Sequence, residues 1–398
     1  MASREQHCAR LTLVTCLLAL AISGCMGPPV LERQVLGYDE VTSATGQKLL
    51  LLNIARANDE RPIHFTSTSS IAASFDWTTT IGVTGQTQEP KGTDFLSLDL
   101  GASASENPTF SIVPITGKEF TKRILTPYSD EAFEFLVFQG GHIDRITRLM
   151  ASGIEVQHAD GTFLRFVANA PARPQEYDEF RRIVMHLRWL NANRKLFVRP
   201  LVFAETLIQD FKGVPSPGDI NDALEKGIRW LQKPDGNFQA IAIRAGRVSI
   251  TNYDPMALSD EKRFKLNEKI GKNPSGFVYL DIRPDGPGGN FPIQGAIKLR
   301  SMQQILTFIG DSIRAFPEFD VAPDPRTGPI DMNPTSTLKI NVSDSEPETR
   351  LPVINYDGDY YTVNDTEWDR LAFTQLEHLF QIALGDVEDV GIPITISK

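Results

Sequence analysis

The chain has 398 residues, of which 41% are hydrophobic, enough to form the cores of two or three domains. Its formal net charge is −10, and no run of lysines or arginines offsets this locally, so nucleic acid is not an expected partner. All three cysteines lie near the N-terminus, at Cys8, Cys16 and Cys25. A mature form that began at Cys25 would therefore have no disulfide, although it would enter an oxidising compartment.

Residues 1–24 have the three parts of a secretory signal peptide. A positively charged start with Arg4 and Arg10 precedes an apolar run over residues 11–22, which is shorter than the roughly 20 residues that span a bilayer. The stretch ISGC, which ends at Cys25, resembles the lipobox of bacterial lipoproteins. That resemblance implies cleavage before Cys25, a palmitate-type lipid on its thiol and, with Met26 next, location in the outer membrane. We expect the body to face the periplasm.

Residues 25–42 contain two prolines and are predicted to be a lipidated tether. A helix is predicted from Ser43 to Asn58, because Leu50, Ile54 and Ala57 recur at helical spacing.

Two segments with strict two-residue alternation follow and predict a long amphipathic β-hairpin. Apolar residues occupy the odd positions from 71 to 83 except for Thr79, and after a polar link they occupy the even positions from 96 to 104. Residues 109–115 are predicted to be a separate strand. The apolar positions that define the hairpin face are Ile71, Phe75, Trp77, Ile81, Val83, Leu96, Leu98 and Leu100.

Helices and strands then alternate irregularly, which is typical of an α+β protein with antiparallel strands. Three short helices are predicted over residues 117–153, with Ser129 as the N-cap of the second. Hairpins are predicted to turn at Ala245-Gly246 and at Asp357-Gly358. We expect three folded regions, which cover residues 43–116, 117–272 and 273–398.

The sequence contains no motif of an established chemistry: no phosphate-binding loop, zinc-protease helix, nucleophile elbow or CxxC pair. Three acidic clusters lack the spacing of an EF-hand and are interpreted as turns. Tyr360, Tyr361 and Trp368 are interpreted as core residues rather than as a sugar-binding platform. No catalytic residue, metal or cofactor is predicted, and we do not expect an enzyme. The three acidic clusters mentioned above comprise Asp281, Asp285 and Asn290; Asp324 and Asp331; and Asp357, Asp359 and Asp365.

Two interpretations of the hairpin remain open. In the first, its apolar face packs on helices of the body and its polar face contacts water. In the second, the hairpin enters the outer membrane, where a β-strand needs about 9–11 residues with alternating character. A single hairpin would leave backbone groups unpaired in hydrocarbon, so several copies would have to form a closed barrel, a plan similar to that of the curli secretion channel lipoprotein.

Four segments resemble an uncharacterised group of proteobacterial outer-membrane lipoproteins. They are QKLLLLNIARANDERPIHFTSTSSI, PITGKEFTKRILTP, LRSMQQILTFIGDSI and YDGDYYTVNDTEWDRLAFTQLEHLFQIALGD. The resemblance implies one shared architecture and transfers no site residue. We therefore expect a lipid-anchored structural, assembly or adaptor protein with partners in the cell envelope. The alternatives are an oligomeric export channel whose wall includes residues 71–105, and an enzyme acting on envelope polysaccharide or peptidoglycan.

Overall fold

The computed structural model describes residues 27–86, 95–158, 160–271 and 274–384, and its class is α+β, as predicted. The chain divides into two compact units, one formed from residues 1–63 and 125–381 and the other from residues 64–124 and 382–398. The predicted signal peptide, residues 1–24, and Cys25 lie outside the described residues.

The α-helices are α1 (Gly27–Asn58), α2 (Gly117–Phe120), α3 (Asp130–Phe138), α4 (Ile143–Met150), α5 (Pro174–Ala192), α6 (Pro217–Glu225), α7 (Asp260–Ile270), α8 (Met302–Ile313) and α9 (Glu367–Leu384). The strands are β1 (Thr66–Gln86), β2 (Phe95–Pro114), β3 (Ala151–Gln157), β4 (Phe163–Ala168), β5 (Phe197–Phe211), β6 (Ile228–Gln232), β7 (Phe238–Thr251), β8 (Phe277–Ile282), β9 (Ile293–Leu299), β10 (Ile340–Ser343), β11 (Val353–Tyr356) and β12 (Asp359–Val363). Within these described elements, no helix is both long enough and apolar enough to cross a bilayer.

Helix α1 corrects the predicted tether. It begins at Gly27 and runs without a break to Asn58, so the stretch predicted to be a linker is helical from its third residue. Pro28 and Pro29 do not prevent this, because the first helical turn has no intrahelical partner for its N–H groups. The part of α1 around Leu50, Leu51 and Ile54 is buried.

The first unit is built on a seven-stranded sheet. Its order is β4-β3-β9-β8-β7-β5, and β6 pairs with one end of β7. All pairs are antiparallel except β7 and β8, which are parallel. The predicted boundary at residues 272/273 falls inside this sheet, because β8 and β9 follow it in sequence but lie between β3 and β7.

Two local predictions in this sheet were wrong. Strand β7 continues through Ala245-Gly246 instead of turning there, because β5 pairs with it on both sides of those residues. The hairpin turn lies earlier, between β6 and β7, where Gly236 has a φ of 84°. The predicted third helix also ends at Met150, and the residues after it form β3.

Helix α8 contributes an apolar face to the core of the first unit. Met302, Ile305, Leu306 and Ile309 are all buried. Ser301 begins the helix with a capping box, in which its hydroxyl accepts from the N–H of Gln304. A Cβ at Gly310 would lie 2.6 Å from the backbone nitrogen of Asn58, so only glycine permits this approach of α8 to α1.

Residues 314–339 form a long irregular segment that is fixed to α4 and α5 by buried charges. The Arg148 guanidinium donates to Glu318 Oε1 at 3.2 Å and to the carbonyl oxygens of Pro334 and Thr335. The hydroxyl of Tyr177 donates to the same Glu318 oxygen at 2.7 Å. The side chains of Arg148 and Glu318 are only 2% and 1% exposed, so this ion pair belongs to the core.

The C-terminal part of the first unit is a small sheet of order β10-β12-β11 followed by α9. The predicted turn at Asp357-Gly358 is confirmed. Both residues have positive φ, 54° and 100°, as a two-residue hairpin loop requires.

Candidate functional site

The β1–β2 hairpin of the second unit is the first candidate site. Its two strands have 21 and 20 residues and form a two-stranded antiparallel sheet. At about 3.3 Å per residue, each strand is about 66 Å long, roughly twice the 30 Å of a bilayer core. The separate strand predicted over residues 109–115 is instead the continuation of β2, paired with the start of β1.

The register brings the two predicted apolar series together. Residues directly opposite each other in an antiparallel pair lie on the same face. From the turn back to Trp77, the ten residues of each strand place aliphatic, aromatic or small residues on one face, with Thr79 as the one polar member. The pairs on this apolar face are Gly85–Leu96, Val83–Leu98, Ile81–Leu100, Thr79–Ala102 and Trp77–Ala104.

The opposite face of the same segment consists of small and polar residues with one carboxylate, except for Phe95, which pairs with Gln86 at the end nearest the turn. Its other pairs are Thr84–Ser97, Gly82–Asp99, Thr80–Gly101 and Thr78–Ser103. This segment, residues 77–86 and 95–104, is called the apical segment below. Its length and its alternation are those of a membrane-crossing β-strand pair.

The apolar face is interrupted immediately below the apical segment. Phe75 pairs with Glu106, the first charged residue on that face, and Ala73 pairs with Pro108. Trp77–Ala104 is therefore the last pair on this face before the charge of Glu106. The more distant part of the face, which includes Ile71 opposite Phe110, lies beyond this interruption.

Each strand of the hairpin pairs with the other along one edge, and no third described strand pairs with either of them. A row of unpaired N–H and C=O groups is a template for another strand. The hairpin can therefore extend a sheet on both sides.

The acidic clusters are partnered by arginine side chains. Asp324 receives two hydrogen bonds from Arg326, and these lower its pKa to about 2. Other members pair in the same way, and no group of three potential metal ligands occurs in the described parts of the chain. The remaining ion pairs are Asp281–Arg283, Asp331–Arg188, Asp357–Arg61 and Asp365–Arg370, while Asp285, Asn290 and Asp359 are exposed.

Two of the three aromatic residues interpreted as core residues, Tyr361 and Trp368, are buried, whereas Tyr360 is only half-buried. Trp368 is 6% exposed and its indole donates to the carbonyl oxygens of Ser336 and Thr337. Tyr361 is 3% exposed. Neither residue offers a flat ring to a sugar.

A polar pocket of about 530 Å³ lies on the seven-stranded sheet and was not predicted from the sequence. Tyr279 and Asp281 of β8 and Gln294 of β9 contribute to its floor, and Lys269 of α7 and Arg283 to its walls. The five residues come from three elements and the following loop, so no sequence motif marks them. Of these five residues, only Asp281 was named from the sequence, as a member of an acidic cluster interpreted as a turn.

Comparison of the chain with models of known protein families, with curated proteins and with solved structures finds no match.

Proposed function

We propose that this protein is a lipid-anchored structural component of the outer membrane that assembles with copies of itself through the β1–β2 hairpin. The apical segment enters the bilayer, and the assembled hairpins form the wall of a channel. The α+β unit is the periplasmic body of the assembly, through which other envelope proteins attach.

The observation that supports this proposal most strongly is the register of the hairpin. Alternation in one strand is also expected of a strand that packs on a body. Here the register places the two alternations on one face over ten residues of each strand. The β2 series is then broken by the charge of Glu106, although the β1 series continues through Phe75 to Ile71. A charged residue on the apolar face would set a lower limit to a lipid-facing band.

The physics of the bilayer requires more than one copy. Each unpaired backbone group in hydrocarbon costs several kcal/mol, so a single hairpin with two open edges is unstable there. Pairing the edge of β1 in one copy with the edge of β2 in the next satisfies these groups. Closure of the ring then removes every open edge, and the small and polar residues face the enclosed water.

The sequence supplies the anchor. Cys25 ends the ISGC stretch and is the proposed lipid acceptor, two residues before α1 begins. Replacement of Cys25 by alanine should abolish palmitate labelling and release the protein from the membrane fraction. Continued labelling would contradict the anchor.

The channel is tested first by the mass of the detergent-extracted, acylated protein, with and without residues 70–105. Light scattering should give a closed oligomer for the full chain and a monomer for the deletion. A monomer in both cases would contradict self-assembly.

Point variants separate insertion from folding of the hairpin. Ile81→Asp places a carboxylate on the apolar face, opposite Leu100, and should prevent insertion into lipid vesicles. Thr80→Asp is the matched control, because it adds the same charge one residue away on the polar face, opposite Gly101. Equal insertion of the two variants would refute a membrane-embedded apical segment.

A second candidate function is favoured by the two open edges of the hairpin. In this case the protein is an adaptor, and the hairpin adds strands to the sheet of a different envelope protein. A monomer that loses a specific envelope partner when residues 70–105 are removed would support this function over the channel.

A further inference from the structure

We infer that the polar pocket on the seven-stranded sheet binds a small ligand that carries both a carboxylate and hydroxyl groups, the chemistry of a sugar acid. This inference is independent of the proposed channel, because every residue that lines the pocket belongs to the first unit.

The first argument is the charge of the pocket. Lys269 and Arg283 line it together with a single carboxylate, Asp281, in a chain whose net charge is −10. No described carboxylate lies within ion-pair distance of the Lys269 ammonium. Among the described residues, it donates a hydrogen bond to the side-chain oxygen of Gln294 at 3.1 Å, in the amide orientation that turns this oxygen toward the ammonium. A positive pocket with an unneutralised ammonium favours an anionic ligand.

The second argument is that the one carboxylate is already engaged. Asp281 Oδ2 accepts from the hydroxyl of Tyr253 and from Nε of Arg283, both at 2.9 Å. Arg283 also donates from Nη2 to the Tyr253 oxygen at 2.8 Å, and its guanidinium lies 3.8 Å above the Tyr253 ring. These contacts hold Arg283 in place, so Asp281 positions that guanidinium and does not neutralise Lys269.

The third argument is the mixture of neutral donors and acceptors. Gln157 and Tyr279 line the same pocket as Gln294. Burial raises the pKa of Tyr279 to about 12, so its hydroxyl keeps its proton at neutral pH and can donate it. Carboxamides and a phenol both donate and accept, as ligand hydroxyl groups require.

The fourth argument is that the wall is preorganised. The buried side chain of Asn252 donates to the carbonyl oxygens of Arg283 and Pro287 and accepts from the N–H of Arg283. A Cβ at Gly286 would lie 2.5 Å from the Asn252 nitrogen, so the loop lies directly on that amide. A fixed wall reduces the entropy lost when a ligand binds. The volume of about 530 Å³ falls within the usual range for small-ligand sites.

Titration calorimetry of the full mature protein with D-glucuronate, D-glucose and acetate tests this inference. D-glucuronate should bind saturably, and at least about tenfold more tightly than D-glucose, which lacks the carboxylate, or acetate, which lacks the hydroxyl groups. Absence of saturable binding, or equal affinity for either control compound, would overturn the inference.

A pair of lysine variants on α7 locates the binding. Lys269→Met should weaken D-glucuronate binding about tenfold, because it removes the unneutralised ammonium. Lys262→Met removes an exposed lysine of the same helix that does not line the pocket, and it should leave the affinity unchanged. Equal effects of the two variants would show that the ligand binds elsewhere.

Discussion

The buried pair between Arg148 and Glu318 gives the sharpest test of the fold, through the variant Glu318→Gln. The amide keeps the shape of the side chain and can still accept from Thr337, but it leaves the Arg148 charge buried without a counter-charge. Removing one partner of a buried ion pair costs about 3–5 kcal/mol. We expect a loss of about 3 kcal/mol, near the lower limit, because the amide oxygen still accepts hydrogen bonds.

Asp357→Asn is the matched control for Glu318→Gln. It neutralises the same kind of pair, with Arg61 at 3.0 Å, but these two side chains are 57% and 66% exposed. Exposed pairs contribute at most about 1 kcal/mol, and asparagine also tolerates the positive φ at this position. Urea unfolding of the mature protein, followed by tryptophan fluorescence, should therefore separate the variants clearly. Equal losses would refute the assignment of Glu318 as a buried, charged core residue.

The same pair predicts a pH dependence. Burial alone would raise the pKa of Glu318, but the Arg148 charge and the hydrogen bonds from Thr337 outweigh it and hold the pKa below its ordinary value. A carboxyl whose pKa is lowered by folding stabilises the protein above its unfolded pKa and loses that contribution in acid. The stability difference between the wild type and Glu318→Gln should therefore narrow as the pH falls below about 4.5, and a difference that widened would contradict this linkage.

Three further predictions concern other parts of the first unit. Burial lowers the pKa of His186 to about 4, so NMR titration should show a neutral imidazole at pH 5, and its contribution to stability should decline from about pH 6.5 towards 4. Gly310→Ala should destabilise the protein by about 1–3 kcal/mol in urea unfolding, because its Cβ would press on the backbone of α1. Gly46→Ala in the same α1, with no atom near the added Cβ, should instead stabilise it by about 0.5–1 kcal/mol. Ser301→Ala should cost about 1 kcal/mol by removing the cap of α8, and an unchanged unfolding midpoint would contradict the capping role.

Elements whose signals are local could be predicted from the sequence. Ser129 was recognised as an N-cap, and Asp357-Gly358 was recognised as a turn. Each depends on residues a few positions apart. The N-terminal part of α1 was missed because Pro28 and Pro29 indicate a linker in most contexts but are tolerated in a first helical turn.

Features that depend on distant pairing could not be predicted. The continuity of β7 is set by β5, and the parallel pairing of β8 is set by the sheet as a whole. For the candidate site, alternation predicted the hairpin and its apolar face. The position of Trp77 at the end of the apical segment required the register, because β2 continues past Pro108, which an edge strand tolerates. The polar pocket forms where α7, β8 and β9 come together in the fold, and no local sequence pattern predicts which distant elements lie next to each other.

The continuous helix α1 changes the mechanics of the proposed membrane attachment. Its 32 residues extend about 48 Å at 1.5 Å per residue, whereas a flexible chain of that length has a root-mean-square span of about 31 Å and a broad spread. Residues 35–45 are largely exposed, and Leu50 is the first buried residue among those of α1 whose burial is described. A lipid at Cys25 would therefore connect this unit to the bilayer through a rigid helix rather than through a flexible linker. A change in the tilt of this helix at the bilayer surface would turn the first unit with it. The anchor would therefore set the orientation of the body as well as its distance from the membrane.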